Sequence, residues 1–521
     1  MPDQEDPVSK IAAETLVKYV KLTSGAELAV ARESAAPAGT KIYLGATKAA
    51  EKTGLKPHEL KGMECVLRVV DGNLYLAGND IAVNVGRPRR SHCEPSRKAV
   101  HILLHDYVGV RWLMPNDQGH GTCVPKKATL AIPAGLDRRW APVFQWIRAG
   151  NLEGVEDWGF LTSSASPDRV SGGAHSYPKA VPKEIYAHEH PEYFALLKGV
   201  RTPDDNHLCI SNPDVQRLFK EEIVRNWQQG FDIVSLGQTD GYKPCECDNC
   251  RAIHPDPAER IWIVHDQIAR DLQQDHPGKM VMFVAYSPNW NPPKTIAKFS
   301  DNVVLMPCSY SREDFAMWRG RVKAFYAYVY NWGPYHEMGF GPKVTPAMAA
   351  LEVRLFRDEG VRGISVCNSY GASWGLEGPG NYVFKRLCED PDLEYREVQD
   401  EYYQCAFGEA AAPMKEFFTA LHLSIDFHAQ YGDWDPWGPE MAAFNPEAHY
   451  TFFFPPVLIA KLDAHLAEAK ELAKDHEVKL RLAQLERNYL YNRDIATVFH
   501  FSRAYQMQPS WRIPVLPASS R

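Results

Sequence analysis

The sequence predicts an α/β protein: a small N-terminal α/β domain, a central (β/α) eight-stranded barrel of TIM type, and a C-terminal helical domain. Three observations lead there. Between about residues 140 and 395, short continuous apolar runs alternate with helical stretches, the pattern of a parallel sheet covered on both faces. The 521 residues exceed what one core fills, and composition divides them at 8–138, 140–395 and 396–521. After about residue 396 the apolar positions recur with the helical period.

In the first unit, Ile11–Leu22 reads as a helix and Lys41–Gly45 as a strand. Val66–Val70 and Asn73–Ala77 flank Asp71-Gly72, a hairpin turn. Arg97–Tyr107 reads as a second amphipathic helix stopped near Gly109, and Ala128–Pro133 as the closing strand. The unit opens on a helix, which leads us to expect that an edge strand has been trimmed from the start. In the second unit the apolar runs are Val143–Ile147, Leu208–Ile210, Ile233–Leu236, Val281–Ala285, Val303–Met306, Phe325–Tyr330 and Gly363–Val366. Val215–Gln229, Ala258–Asp275 and Thr345–Glu359 read as helices between them. These runs fit an eight-stranded barrel with one strand unread. A doubly wound open sheet is the runner-up, but no glycine-rich phosphate fingerprint follows the first strand. Tyr395–Ala406, Ala410–Ala429, Leu458–Leu485 and Leu485–Tyr505 read as the tail helices.

Composition excludes several functions. Hydrophobic residues at 45% and charged residues at 24% describe a globular chain rather than a disordered one. With 58 Lys and Arg against 65 Asp and Glu, the formal charge is −7, so nucleic acid is not an expected partner. No run of apolar residues is long enough for a membrane span. The start, MPDQEDPVSK, lacks the charged and apolar regions of a secretory signal. Eleven cysteines scattered over this length are not a disulfide framework.

In a barrel, chemistry sits at the C-terminal ends of the strands. Those ends are polar and aromatic here. The first runs into Arg148 and Asn151, and the next loop carries His175 and Tyr177. Later ends carry Asp240 and Tyr242, Tyr286 and Trp290, Tyr310, Tyr330 and Trp332, then Asn368, Tyr370, Trp374 and Glu377. Tyr and Trp rings stack on sugar C–H faces, while amides and arginine fork to hydroxyls, so a neutral glycan or oligosaccharide is the expected partner. Any one of these aromatics alone would be read as a structural cap of the barrel.

Asp240 is the sharpest single residue. It follows the buried run Ile233–Leu236, where partial desolvation would raise a carboxyl pKa and make a general acid. The competing reading is a turn cap at Gly241. A second carboxylate is not evident among Glu156, Asp157, Glu337 and Glu377. A substrate acetamido group can replace it as nucleophile.

Cys245, Cys247 and Cys250 with His254 could complete a tetrahedral zinc site. The spacing of Cys245 and Cys247 is tighter than usual, so a disulfide in the loop or reduced thiols are favoured, and neither metal nor cofactor is expected. Either way the cluster would stiffen the loop that starts at Asp240. Ser211 or Asn212 reads as a helix cap, with Pro213 at the first helical position.

Taken together, Gly109–Pro115, Gly173–Tyr177, His190–Leu196, Cys209–Asp214, Asp240-Gly241 with the three cysteines, Gly378–Tyr382 and Ala406–Gly408 carry a resemblance. Over residues 10 to 425 the chain resembles domain-of-unknown-function family 4838, related to glycoside hydrolase family 163. The resemblance implies a front domain like that of α-glucuronidases and β-hexosaminidases, then a hydrolase barrel and a helical tail. It implies an exported, retaining, endo-β-N-acetylglucosaminidase-like activity on complex N-glycans. It places Asp240 in the family's Asp-Gly-Cys motif, with His175 and Arg148 on the pocket side. In the family pattern a Glu ends the last barrel strand shortly before the Trp, whereas here Asn368 stands in that stretch. The expectation is therefore a glycoside hydrolase cleaving a β-linked sugar, N-acetylated or not, with Asp240, Asn368 and His175 catalytic. The alternative is a non-catalytic glycan-binding protein on a hydrolase scaffold.

Overall fold

In the computed structural model, residues 1–4, 6–81, 93–114, 119–149, 168–171, 174–329, 344–366, 374–431 and 446–507 are described. The front part opens with helix α1 (Pro7–Ser24). Asp6 caps it by accepting from Val8 N, Pro7 sits at its first position, and Gly25 ends it in the left-handed conformation. Strands β1 (Ile42–Leu44), β2 (Cys65–Val70) and β3 (Asn73–Gly78) follow, with β2 and β3 forming the expected hairpin across Asp71-Gly72. Helix α2 (Pro95–Ile102) runs on into a wider turn, Leu103–Val108, which Gly109 stops as predicted.

Beyond a small pair, β4 (Arg111–Trp112) and β5 (Thr122–Cys123), strand β6 (Asp137–Trp140) completes the front sheet in the order β1-β3-β2-β6. Ala128–Pro133 is therefore not the closing strand. β6 has the charged sequence Asp-Arg-Arg-Trp, and its register on β2 is held by ion pairs of Arg68 with Asp137 and Arg139 with Glu64.

The central sheet is parallel. Its strands are β7 (Trp146–Ala149) and β8 (Val170–Ser171), then, after the hairpin β9 (Leu196–Leu197) and β10 (Val200–Arg201), β11 (Ile233–Leu236), β12 (Met280–Ala285), β13 (Val303–Pro307), β14 (Phe325–Val329) and β15 (Val361–Val366). The order is β7-β15-β14-β13-β12-β11-β8, so seven strands pair among the described residues, where eight were expected. The two edges, β7 and β8, are consecutive in the barrel's chain order. Asp168 N donates to Gln145 O across the seam at 3.1 Å, so the sheet nearly closes. The run Leu208–Ile210 is not a barrel strand; Leu208 makes only an isolated bridge to Phe194. The unread strand β8 takes its place.

Alternation along the strands sorts the side chains. Trp146, Ile233, Met282, Val284, Val304, Met306 and Tyr326 fill the barrel interior. Val234, Leu236, Phe283, Leu305, Ala327 and Ile364 face the outer helices. At the N-terminal end, Asp168 accepts from Tyr326 Oη (2.5 Å) and from Arg362 Nε and Nη2 (2.5 and 2.7 Å). The outer layer includes α3 (Pro213–Gln228), α4 (Asp248–Ile253), α5 (Pro257–Asp275), α6 (Arg312–Trp318) and α7 (Pro346–Asp358). Asn212 caps α3, its Oδ1 accepting from Asp214 N at 2.8 Å.

The tail is helical: α8 (Trp374–Glu389), α9 (Tyr395–Phe407), α10 (Ala411–Tyr431), α11 (Pro446–Phe453), α12 (Pro456–Leu472) and α13 (His476–Met507). The expected continuous helix Leu458–Leu485 breaks at Ala473–Asp475. There Asp475 Oδ1 caps α13 by accepting from Glu477 N and Val478 N. Buried Arg481 on α13 donates to His120 O and Thr122 O and also to Ala406 O, tying tail to front. No helix among the described residues is long and apolar enough to cross a membrane.

Candidate active site at the barrel mouth

β11 ends at Leu236, and the next residue has no side chain. That lets residues 174–177 cross the strand end in close contact. Ser176 N donates to Gly237 O (3.0 Å), and Gly237 N donates to Ser176 Oγ (3.0 Å). His175 is thereby held at the mouth. Its Nδ1 lies 2.6 Å from Gln238 O. A carbonyl only accepts, so Nδ1 carries the proton, and Nε2 faces Asp240 Oδ1 at 3.8 Å. Tyr286, one residue beyond β12, sets its ring edge-on to His175 at 5.6 Å, and Trp290 meets Tyr286 at 5.0 Å. His175, Asp240, Tyr286 and Trp290 thus form one strip. Arg148 on β7 lies two residues beyond inward-facing Trp146, pairs in register with Ser365, and is exposed at the same end. Trp290 also borders a cavity of about 390 Å³ at the ends of β12 and β13, lined by Asn291, Ser309, Asp314 and Trp318.

Other expected site residues are placed differently. Asp240 is not partly desolvated: 70% of its side-chain surface is exposed. Its Oδ1 accepts from Gly241 N at 2.9 Å, so the turn-capping role is present as well. Tyr177 starts a short helix, Tyr177–Ala180, which turns its ring into the outer layer. It is fully buried, stacks on Phe219 and bonds His265 Nε2 at 2.7 Å, out of reach of any ligand. Tyr310 is also turned outward, donating to Glu352 Oε1 at 2.7 Å and packing on Phe356. Tyr242 leans towards His207 and the cysteines, and burial pushes its phenol pKa up. Glu377 is buried in the first turn of α8. Trp374 heads that helix. Asn151, Tyr330, Trp332, Asn368 and Tyr370 lie outside the described residues, as do Glu156, Asp157 and Glu337.

The cysteines converge beside this strip. Cys209, Cys245, Cys247 and Cys250 place their sulfurs within 4.8 Å of one another, the one such group of ligating side chains among the described residues. His254 is not part of it; its Nδ1 accepts from Asp256 N at 3.1 Å.

A domain of unknown function, DUF4838, matches residues 118–419, more than half of the sequence. The chain belongs to the DUF4838 family. No curated protein matches this DUF4838 chain in sequence. Among solved structures it is similar to BtGH115A, a family GH115 4-O-methyl-α-glucuronidase with specificity for decorated arabinogalactans. The TM-score is 0.63 at 13% identity, over 97% of this chain and 72% of that one. It is less similar to a GH138 enzyme targeting pectin rhamnogalacturonan II (TM-score 0.42, 10% identity, 96% and 69% covered). CpGH84B gives a TM-score of 0.41 at 11% identity, with 96% and 87% covered. The likeness to the GH115 enzyme establishes a shared fold.

Sequence reading missed two supports of the DUF4838 site. Buried Gln238 donates through Nε2 to Asn289 Oδ1 at 2.6 Å, and Asn289 Nδ2 donates to Val284 O. This bridge fixes the loop that presents Tyr286 and Trp290 against the strand end that presents His175. Gln238 was in view only as a neighbour of Asp240, and Asn289 as a neighbour of Trp290. Cys209 stood only in the segment Cys209–Asp214 of the family resemblance and was not grouped with the other three cysteines, because it lies far upstream of them.

Proposed function

We propose that this DUF4838 protein is a glycoside hydrolase that cleaves a β-linked sugar, N-acetylated or not, within a complex glycan. The observation that carries the reading is the strip His175–Asp240–Tyr286–Trp290 at the C-terminal mouth of a barrel whose fold is shared with a GH115 glucuronidase. A sugar ring laid on Tyr286 and Trp290 would displace water from Asp240 and strengthen its acid or polarising role. His175, with Nδ1 fixed by Gln238 O, would accept through Nε2 from a hydroxyl of the bound sugar or from the acid form of Asp240. Arg148 would bind hydroxyls from the β7 side, and Asn368 completes the proposed catalytic set. The divisions 8–138, 140–395 and 396–521 belong to the same reading, with the middle unit as the catalytic domain.

The openness of Asp240 and its bond to Gly241 N favour a second reading, a glycan-binding protein without turnover. Incubation with complex N-glycans, chitooligosaccharides, glucuronoxylan and arabinogalactan, followed by mass spectrometry of products, separates the two. Hydrolysis is expected, with Asp240→Asn lowering the rate by about a hundredfold or more. Because Asp240 is exposed, its melting temperature should match the parent's. Binding without product from any glycan would establish the second reading.

A further inference from the structure

We propose that Cys209, Cys245, Cys247 and Cys250 are the four ligands of a tightly bound structural zinc ion. Cys209 Sγ lies 3.6 Å from Cys247 Sγ and 3.8 Å from Cys250 Sγ. Sulfurs sharing a tetrahedral zinc at Zn–S bonds of about 2.3 Å stand about 3.8 Å apart, the edge of that tetrahedron. Disulfide sulfurs would sit at about 2.05 Å, and all four of these cysteines are free.

The surroundings suit thiolates. Leu196 N donates to Cys245 Sγ at 3.3 Å, and Arg201 Nη1 approaches the same sulfur at 3.6 Å. Ser211 Oγ lies 3.1 Å from Cys250 Sγ and 3.4 Å from Cys209 Sγ. Four thiols binding Zn²⁺ release four protons and leave two net negative charges, which the Arg201 guanidinium and the Leu196 amide partly offset. Four soft protein ligands close the coordination shell and leave no position for substrate, so the role is structural.

The ion would join two segments that lie far apart in the sequence. Cys209 lies just before α3, Cys245 and Cys247 lie on the loop between β11 and α4, and Cys250 lies in the first turn of α4. Glu246 N also donates to Leu196 O of β9. Asp240 opens that loop, so the metal would anchor the far end of the segment that presents it.

The test uses the full chain, purified without chelators or an immobilised-metal column. Elemental analysis should return one zinc per chain. Replacement by cobalt should give the sulfur-to-metal charge-transfer band and intense visible bands of a tetrahedral tetrathiolate. Stripping the zinc should lower the melting temperature by about 10 °C, reversed by adding zinc alone. Cys209→Ser should lose the zinc, while Cys405→Ser, outside the tetrad, should keep it. If Cys209→Ser does not fold, the cobalt spectrum of the parent decides. A folded parent free of metal, one iron per chain in place of zinc, or two disulfides by non-reducing mass spectrometry would each overturn the proposal.

Discussion

Gly237→Ala is expected to destabilise the protein by about 4 kcal/mol, against about 1 kcal/mol for Gly241→Ala four residues on. A Cβ on Gly237 would overlap the Ala174 carbonyl oxygen outright and stand 2.9 Å from Val284 Cγ2. Neither obstacle can swing away. Ala174 O is backbone, in a segment tied to β11 through Ser176, and Val284 packs in the barrel interior. The overpacking costs about 1–3 kcal/mol, and each strand-end hydrogen bond it breaks adds about 1. Gly241 differs in kind. Its φ of +59° is a left-handed conformation that alanine adopts at a small cost, and nothing lies within 4 Å of the added carbon. Urea unfolding of the two variants measures the difference. Because the 174–177 crossing also places His175, Gly237→Ala should abolish glycan binding by whatever protein remains folded, while Gly241→Ala should weaken it little. Equal destabilisation of the two variants would refute the close approach as the device that builds the site.

The same crossing shows what the sequence could and could not convey. Strands β11, β12 and β13 are continuous apolar runs, and burial on both faces demands that composition. β8 is only Val170–Ser171, too short to leave a pattern, and it pairs with β11 through two residue pairs alone. Leu208–Ile210 has a strand's composition, but its apolar side chains serve the outer layer while Cys209 serves the cysteine tetrad. β6 is invisible for the opposite reason: its charges pair across the sheet edge instead of entering a core. Within the site, His175 and Asp240 were legible because strand ends can be located from strands. Tyr177 and Tyr310 were misplaced because a helix start or a single residue of offset turns a ring from the mouth into the wall. Cys209 required the fold itself, since its partners are brought to it only by the return of the chain through α3 and β11.

Acid should destabilise the protein through two buried histidines, and Asp80→Asn should deepen the loss between pH 7 and pH 4 by about 3 kcal/mol. His265 on α5 touches Tyr177 and Phe283, and His422 on α10 touches Phe418. Burial pushes both imidazoles down to about 3 from 6.5. Between those values the unfolded chain takes up protons that the folded chain refuses, so stability falls as pH falls from 6.5 towards 3. At pH 4 each histidine costs about 3 kcal/mol relative to pH 7, about 6 together. Asp80 works in the opposite direction. Burial pushes its carboxyl up to about 7 from 3.8, so the folded chain keeps a proton that the unfolded chain releases. Its stabilisation is full below 3.8 and is lost as pH rises through 7, which returns about 3 kcal/mol at pH 4. The three groups together should leave a loss of about 3 kcal/mol in the parent. Asparagine at position 80 keeps the Oδ1 acceptor for Ser96 N but cannot titrate, so the full loss of about 6 kcal/mol should emerge. His422→Leu removes one histidine's share and should lose about 3 kcal/mol less than the parent between pH 7 and pH 4, His265 and Asp80 then almost cancelling. Urea unfolding free energies of the three proteins at both pH values test the ordering, because carboxylates elsewhere contribute equally to all three. If Asp80→Asn and the parent lose the same stability on acidification, Asp80 is ionised in the folded protein and the opposition described here is absent.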